Sequence, residues 1–165
     1  MRERSYRLLM AYNREVKKLD DLYRNAAKRC GMSECAFWIL YTLRVERTSF
    51  TQSEICDFLR EPKQTVNSAL KKLEAEGYLT LAANADQRRK TIRLTDAGER
   101  LAAESVDRIA SAEAGALCAM PPEDRDAFIR LTGQYRGLLE AQLRQEKKQS
   151  ESGEDTASAD MREQK

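Results

Sequence analysis

Near the start of the chain the apolar residues Leu9, Tyr12, Val16, Leu19, Tyr23 and Ala26 recur at alternating intervals of three and four. That spacing predicts one stripe of a helix from Ser5 to about Arg29. Gly31 suits a left-handed helix stop, and Ser33 can cap a second helix over Glu34 to Glu46. Its Phe37, Ile39, Leu40 and Leu43 are enough to bury it on more than one side. Thr51-Gln52-Ser53-Glu54 has the form of a capping box, so a short third helix should follow and place Ile55, Phe58 and Leu59 in the core. It should stop near Arg60, because the residue before Pro62 is pushed out of helical geometry, while Pro62 itself fits the first turn of a fourth helix.

The fourth helix should run to Gly77 with Val66, Ala69, Leu70 and Leu73 inward. Two strand-like pieces follow, Tyr78 to Ala82 and Thr91 to Leu94, joined by a polar turn holding Asn84 and Asp86. Thr95 can cap a fifth helix lasting to Met120, where Pro121-Pro122 must break it. A sixth opens with Glu123 and Asp124, which favour a helix start, and carries the stripe Phe128, Leu131, Tyr135, Leu138 and Gln142. From residue 149 to 165 the chain is rich in Ser, Glu, Asp and Gln, and a disordered tail is expected.

Composition narrows the class. At 165 residues and 41% hydrophobic, the chain can bury one core without disulfides, and one globular unit is expected. No apolar run approaches the roughly 18 to 20 residues that span a bilayer, and MRERSYRLLM is too polar for a secretory signal, so a soluble cytoplasmic protein is expected. With four scattered cysteines and no histidine, neither a Cys/His zinc site nor the usual catalytic triads can be built. No glycine-rich phosphate loop is present either. The expectation is therefore no enzyme, no metal and no cofactor.

The net charge of +2 is small, but it is unevenly placed. From Lys63 to Arg93 seven basic residues (Lys63, Lys71, Lys72, Arg88, Arg89, Lys90, Arg93) face three acidic ones (Glu74, Glu76, Asp86), an excess of four. A short helix, a turn, a longer polar-faced helix and a basic hairpin are what reading duplex DNA requires, since the second helix of such a pair fits the major groove. Opposite its apolar stripe the fourth helix offers Lys63, Gln64, Thr65, Asn67, Ser68, Lys71 and Lys72 to bases and phosphates. The hairpin tip offers Arg88, Arg89 and Lys90 to phosphates and the minor groove, with Asp86 holding the loop. The plainer alternative is a solvated face.

Asp86-Gln87-Arg88, followed by Leu94-Thr95-Asp96-Ala97-Gly98, resembles the wing signature of the MarR family of bacterial transcriptional regulators. Lys63 to Val66, with the exit Leu73-Glu74-Ala75-Glu76-Gly77-Tyr78-Leu79, is similar to that family's recognition helix, and the likeness extends over residues 5 to 147. The resemblance implies a mainly α fold with a small β-hairpin wing: a winged helix-turn-helix domain over 33–95 and a helical dimerisation region over 5–31 and 96–147. It further implies a homodimer on double-stranded DNA, repressing from a pseudo-palindromic operator and released by a small aromatic or amphipathic effector. The stripes on the first and sixth helices agree with a dimer, being more than one small winged domain would cover.

Tyr12, Tyr23, Trp38 and Tyr41 are the candidate lining of the effector cleft, against the simpler reading that they are core. A thiol switch is the competing idea: Cys35 falls in the first turn of the second helix, where the dipole lowers a thiol pKa, with Cys30, Lys28 and Arg29 close by. The early first helix, where peroxide-sensing relatives carry their cysteine, has none over Tyr6 to Met10. Cys56 and Cys118 read as small buried hydrophobes. From a different class, a winged helix used only for protein contacts remains the alternative; it would expose apolar or acidic residues where this chain has polar and basic ones.

Overall fold

The first helix ends where its glycine requires. The computed structural model describes the backbone of residues 2–46, 49–83 and 90–163, and in it α1 spans Arg2–Arg29. Gly31 (φ +68°) and Gly77 (φ +78°) each turn the chain out of a helix in the left-handed region, which costs glycine nothing. After each, two backbone N–H groups reach back to the last turn: Gly31 to the Lys28 carbonyl and Met32 to Ala27, Gly77 to Glu74 and Tyr78 to Leu73. Both glycines thus satisfy carbonyls that a bare helix end would leave unpaired.

Ser33 caps α2 (Glu34–Val45), accepting from the Ala36 N–H. Phe37, Ile39 and Leu40 are completely buried, so α2 lies within the core rather than on it. Thr51 caps α3 (Gln52–Leu59) through the reciprocal box: the Glu54 N–H donates to Thr51 Oγ1 at 3.3 Å, and the Thr51 N–H donates to Glu54 Oε2 at 2.7 Å. Arg60 then takes a left-handed backbone at φ 56°, Pro62 follows, and α4 runs Lys63–Ala75. Strands β2 (Leu79–Ala83) and β3 (Lys90–Leu94) pair antiparallel, Leu79 opposite Leu94 and Leu81 opposite Ile92.

The sequence does not announce β1, the two residues Phe50–Thr51, which pair with Ile92 and Thr91 and complete a sheet of order β1-β3-β2. A two-residue strand has no periodicity of its own and exists only by pairing. The fifth predicted helix is also corrected: it is two helices, α5 (Asp96–Glu104) and α6 (Val106–Ala119). They part at Ser105, at φ −120° and ψ −86°. Its buried hydroxyl donates to the Leu101 carbonyl, the back-bonding by which serine bends helices.

Two compact units result, residues 1–113 and 114–165, rather than the single unit expected. The first has a core built from every one of its elements, among them Ala26 and Ala27 of α1, Leu40, Ile55, Leu70, Leu79, Ile92, Ala102 and Val106. The second consists of the end of α6 and α7 (Pro122–Glu163). Within it the Arg125 side chain folds back onto the carbonyls of Leu117 (2.9 Å), Met120 (3.2 Å) and Cys118 (3.3 Å), closing the C-terminal end of α6. Helix α7 continues to Glu163, beyond the point where composition predicts a disordered tail; after Pro122 no proline interrupts it. Among the described residues no helix is long and apolar enough to cross a membrane.

Candidate nucleic-acid interface

Four inward residues fix which way α4 faces. Val66, Ala69, Leu70 and Leu73 are buried, so at about 100° per residue the arc centred on Gln64, Ser68 and Lys71 points away from the domain. Lys63, Gln64, Thr65, Ser68, Lys71 and Lys72 are all exposed on the outer surface. Lys72 has Glu76 one turn on at 3.8 Å, an exposed pairing of little energetic weight. Ser68 donates its hydroxyl to the Gln64 carbonyl at 2.9 Å. Asn67 departs from the sequence expectation: it is half-buried, with Oδ1 sealed from solvent and without a hydrogen-bond partner.

The β2–β3 hairpin forms beside this helix, and the chain between α4 and β2 is only Glu76 to Tyr78. Lys90 opens β3, opposite Ala83, and is exposed. Asp86, Arg88 and Arg89 lie outside the described residues. The base of the hairpin is held by Thr95, which caps α5 by accepting from the Gly98 N–H (3.1 Å) and donates its own hydroxyl to the Gly77 carbonyl (2.6 Å). Its N–H donates to the Tyr78 carbonyl at 3.1 Å. One threonine therefore ties the exit of α4, the end of the wing and the start of α5.

Of the aromatics proposed as a cleft, the structure gathers three. Tyr23 and Trp38 have ring centroids 5.0 Å apart, and Trp38 and Tyr41 5.3 Å. Tyr12 is exposed and sits three turns earlier on α1, about 16 Å along the axis. The hydroxyls of Tyr23 and Tyr41 both donate to the Glu113 carboxylate of α6, one to each oxygen. Burial first, then the hydrogen bond and charge of Glu113, push the Tyr23 phenol up to about 12 and the Tyr41 phenol higher still. Sequence reasoning missed Glu113, the only charged residue in the small-residue run Ala112-Glu113-Ala114-Gly115-Ala116.

It also missed Arg44, whose guanidinium forks between Glu99 of α5 and Asp107 of α6, with Nε 2.9 Å from Asp107 Oδ1. The fork spans the break at Ser105. Its partners also line an open cleft of about 540 Å³ with Leu43, Val45 and Ala110, where the charges answer one another.

Cys35 lacks the lowered pKa that a sensor thiol at a helix start would have. Cys35 is half-buried, and burial, reinforced by the Glu61 carboxylate and by Cys56, pushes its thiol from 9.0 up to about 11, opposite to the lowering that a helix start would give. Burial likewise pushes Cys56 up, while Cys118, expected to be buried, is exposed. Cys30 is half-buried. A thiol at about 11 holds roughly a hundredfold less thiolate at neutral pH than one at 9.0. Iodoacetamide followed by mass spectrometry should therefore modify Cys35 far more slowly than a small reference thiol, and equal rates would restore Cys35 as a sensor candidate.

Residues 31–90 match the family model described as MarR family, and no curated protein matches the chain significantly. Among solved structures, NMB1585, a MarR family regulator from Neisseria meningitidis, is 24% identical with a TM-score of 0.64, over 81% of this chain and 92% of that one. MepR of S. aureus, in complex with DNA, is 18% identical with a TM-score of 0.62, over 78% and 94%. BpsR of Bordetella bronchiseptica, whose DNA binding is regulated by 6-hydroxynicotinic acid, is 20% identical with a TM-score of 0.57, over 80% and 91%. At these identities the structures establish the shared fold. With the family match, they bear out the resemblance read from the sequence.

Proposed function

We propose that this chain, whose residues 31–90 carry a MarR-family winged helix, is a homodimeric DNA-binding transcriptional regulator that represses from a pseudo-palindromic operator and is released by a small ligand. The observation that carries the reading is α4. Its outer arc carries Gln64, Ser68 and Lys71, with exposed Lys72 beside them and the basic hairpin next in the chain, and no large apolar or acidic side chain suited to a protein-contact role stands at its centre. Docked in a major groove, such an arc gives Lys71 a phosphate and Gln64 and Ser68 the base edges. The DNA complex of MepR and the ligand-regulated DNA binding of BpsR, on the same fold, support duplex DNA and a small effector as partners.

The dimer is supported by apolar residues left uncovered in each unit. On α1, Leu8, Tyr12, Leu19 and Leu22 stay exposed, and on α7, Phe128, Leu131, Leu138 and Leu143 do. Stripes of this kind mark an interaction surface. We assign residues 5–31 and 96–147 to dimerisation and 33–95 to DNA. A twofold dimer would set its recognition helices about 34 to 36 Å apart, one helical turn of DNA.

Fluorescence-anisotropy titration against duplexes from the upstream region of the gene tests the reading. Tight binding to one near-palindrome with two chains per site, falling steeply with salt, is expected. Lys71→Ala should weaken binding to all sequences alike and flatten the log–log salt slope by about one unit. A changed sequence preference would make Lys71 a base reader. Weak binding indifferent to sequence would turn the winged helix into a protein-contact module.

A further inference from the structure

Helix α4 carries two side-chain amides, and either type can recognise adenine by donating to N7 while accepting from the 6-amino group. That contact needs both ends of the amide open at once. Asn67 does not meet the requirement, because one end of its amide is enclosed by the domain with nothing to pair with. Exchanging the oxygen and nitrogen positions leaves one end enclosed all the same. Asn67 lies beside Lys63 on the flank of the helix, between the buried stripe and the outer arc.

Gln64 is placed differently. It is exposed and sits at the centre of the arc opposite Val66, Ala69, Leu70 and Leu73, in the first turn of α4, the part of a recognition helix that enters the groove first. Its neighbour Ser68 has already spent its one hydroxyl proton on the Gln64 carbonyl, so Ser68 turns only acceptor lone pairs outward. The long side chain beside them on the arc, Lys71, is a donor only.

We infer that Gln64 is the specificity-determining residue of α4 for adenine, and that Asn67 is not a bidentate base reader. The inference rests on the reading of α4 as the DNA-contacting helix. It has a consequence for the free protein as well: removing the Asn67 side chain removes a buried unpaired polar group, so the fold should lose nothing by it.

The test uses the full chain. A binding site is first selected from random duplexes; each adenine in it is then replaced in turn by purine, which keeps N7 but lacks the 6-amino group. At one adenine per half-site the replacement should weaken the wild-type protein by roughly 5- to 150-fold. The penalty should persist in Asn67→Ala and vanish in Gln64→Ala, whose overall affinity is already lower. Asn67→Ala should melt at or above the wild-type temperature. The inference is overturned if the penalty vanishes in Asn67→Ala instead, if Gln64→Ala keeps it at every adenine, or if Asn67→Ala melts lower, which would reveal a structural partner for the amide. Failure to enrich any duplex would overturn the DNA reading of α4 itself, a result distinct from binding without Gln64 coupling.

Discussion

Gly98→Ala should lower the stability of the winged domain by about 3 kcal/mol, a drop of roughly 12 to 24 °C in its melting temperature, and should abolish operator binding. A Cβ at this position would stand 1.8 Å from the Tyr78 carbonyl oxygen and 2.9 Å from its carbon. The obstruction is backbone, and that carbonyl is engaged by the Thr95 N–H at 3.1 Å. To make room, α5 must withdraw from the end of α4, breaking the Thr95 contacts that seat the wing. Circular-dichroism melts and anisotropy titration of the same preparation check both halves of the expectation. An alanine variant that melts and binds like the wild type would mean that α5 does not approach Tyr78 so closely.

Leu138→Arg should divide the dimer while sparing the fold of each chain. Leu138 is 60% exposed in the single chain, so arginine there meets water until a partner covers it. If the α7 stripe is the dimer surface, each association would bury two such charges without counterparts, weakening the dimer at least about a hundredfold. Sedimentation should show monomers at concentrations where the wild type is dimeric, with an unchanged melting profile in dilute solution. Operator affinity should fall as well, because two half-sites are then bound separately. A persistent dimer would move the interface off α7.

Sequence reading succeeded where local chemistry alone decides the outcome. Gly31, Ser33, the Thr51/Glu54 box and Glu61-Pro62 each act within a few residues, and the helix ends fall where they do. The inward stripe of α4 was equally plain, since Val66, Leu70 and Leu73 repeat at helical spacing. What escaped depends on partners far along the chain. Strand β1 exists because Ile92 and Thr91 are there to pair with it. The break at Ser105 lies in a run with no proline or glycine to mark it. Glu113 gathers Tyr23 and Tyr41 from 90 and 72 residues away. For Asn67 the wheel gave the right side of the helix but not how deep a flank residue sits, and for Cys35 the helix start argued a direction that burial reverses.

Thr51 belongs to two structures at once, the last residue of β1 opposite Thr91 and the cap of α3. A strand that slips by one residue turns its inward side chains outward. Here a slip would also carry the Thr51 hydroxyl away from the Glu54 N–H, so the sheet cannot change register while α3 keeps its start. The alignment of the hairpin against α4 is therefore under a lock with two keys, one apolar in Phe50 and Ile92, the other polar in Thr51 and Glu54. A variant that loosens either should be felt at both ends of the winged domain.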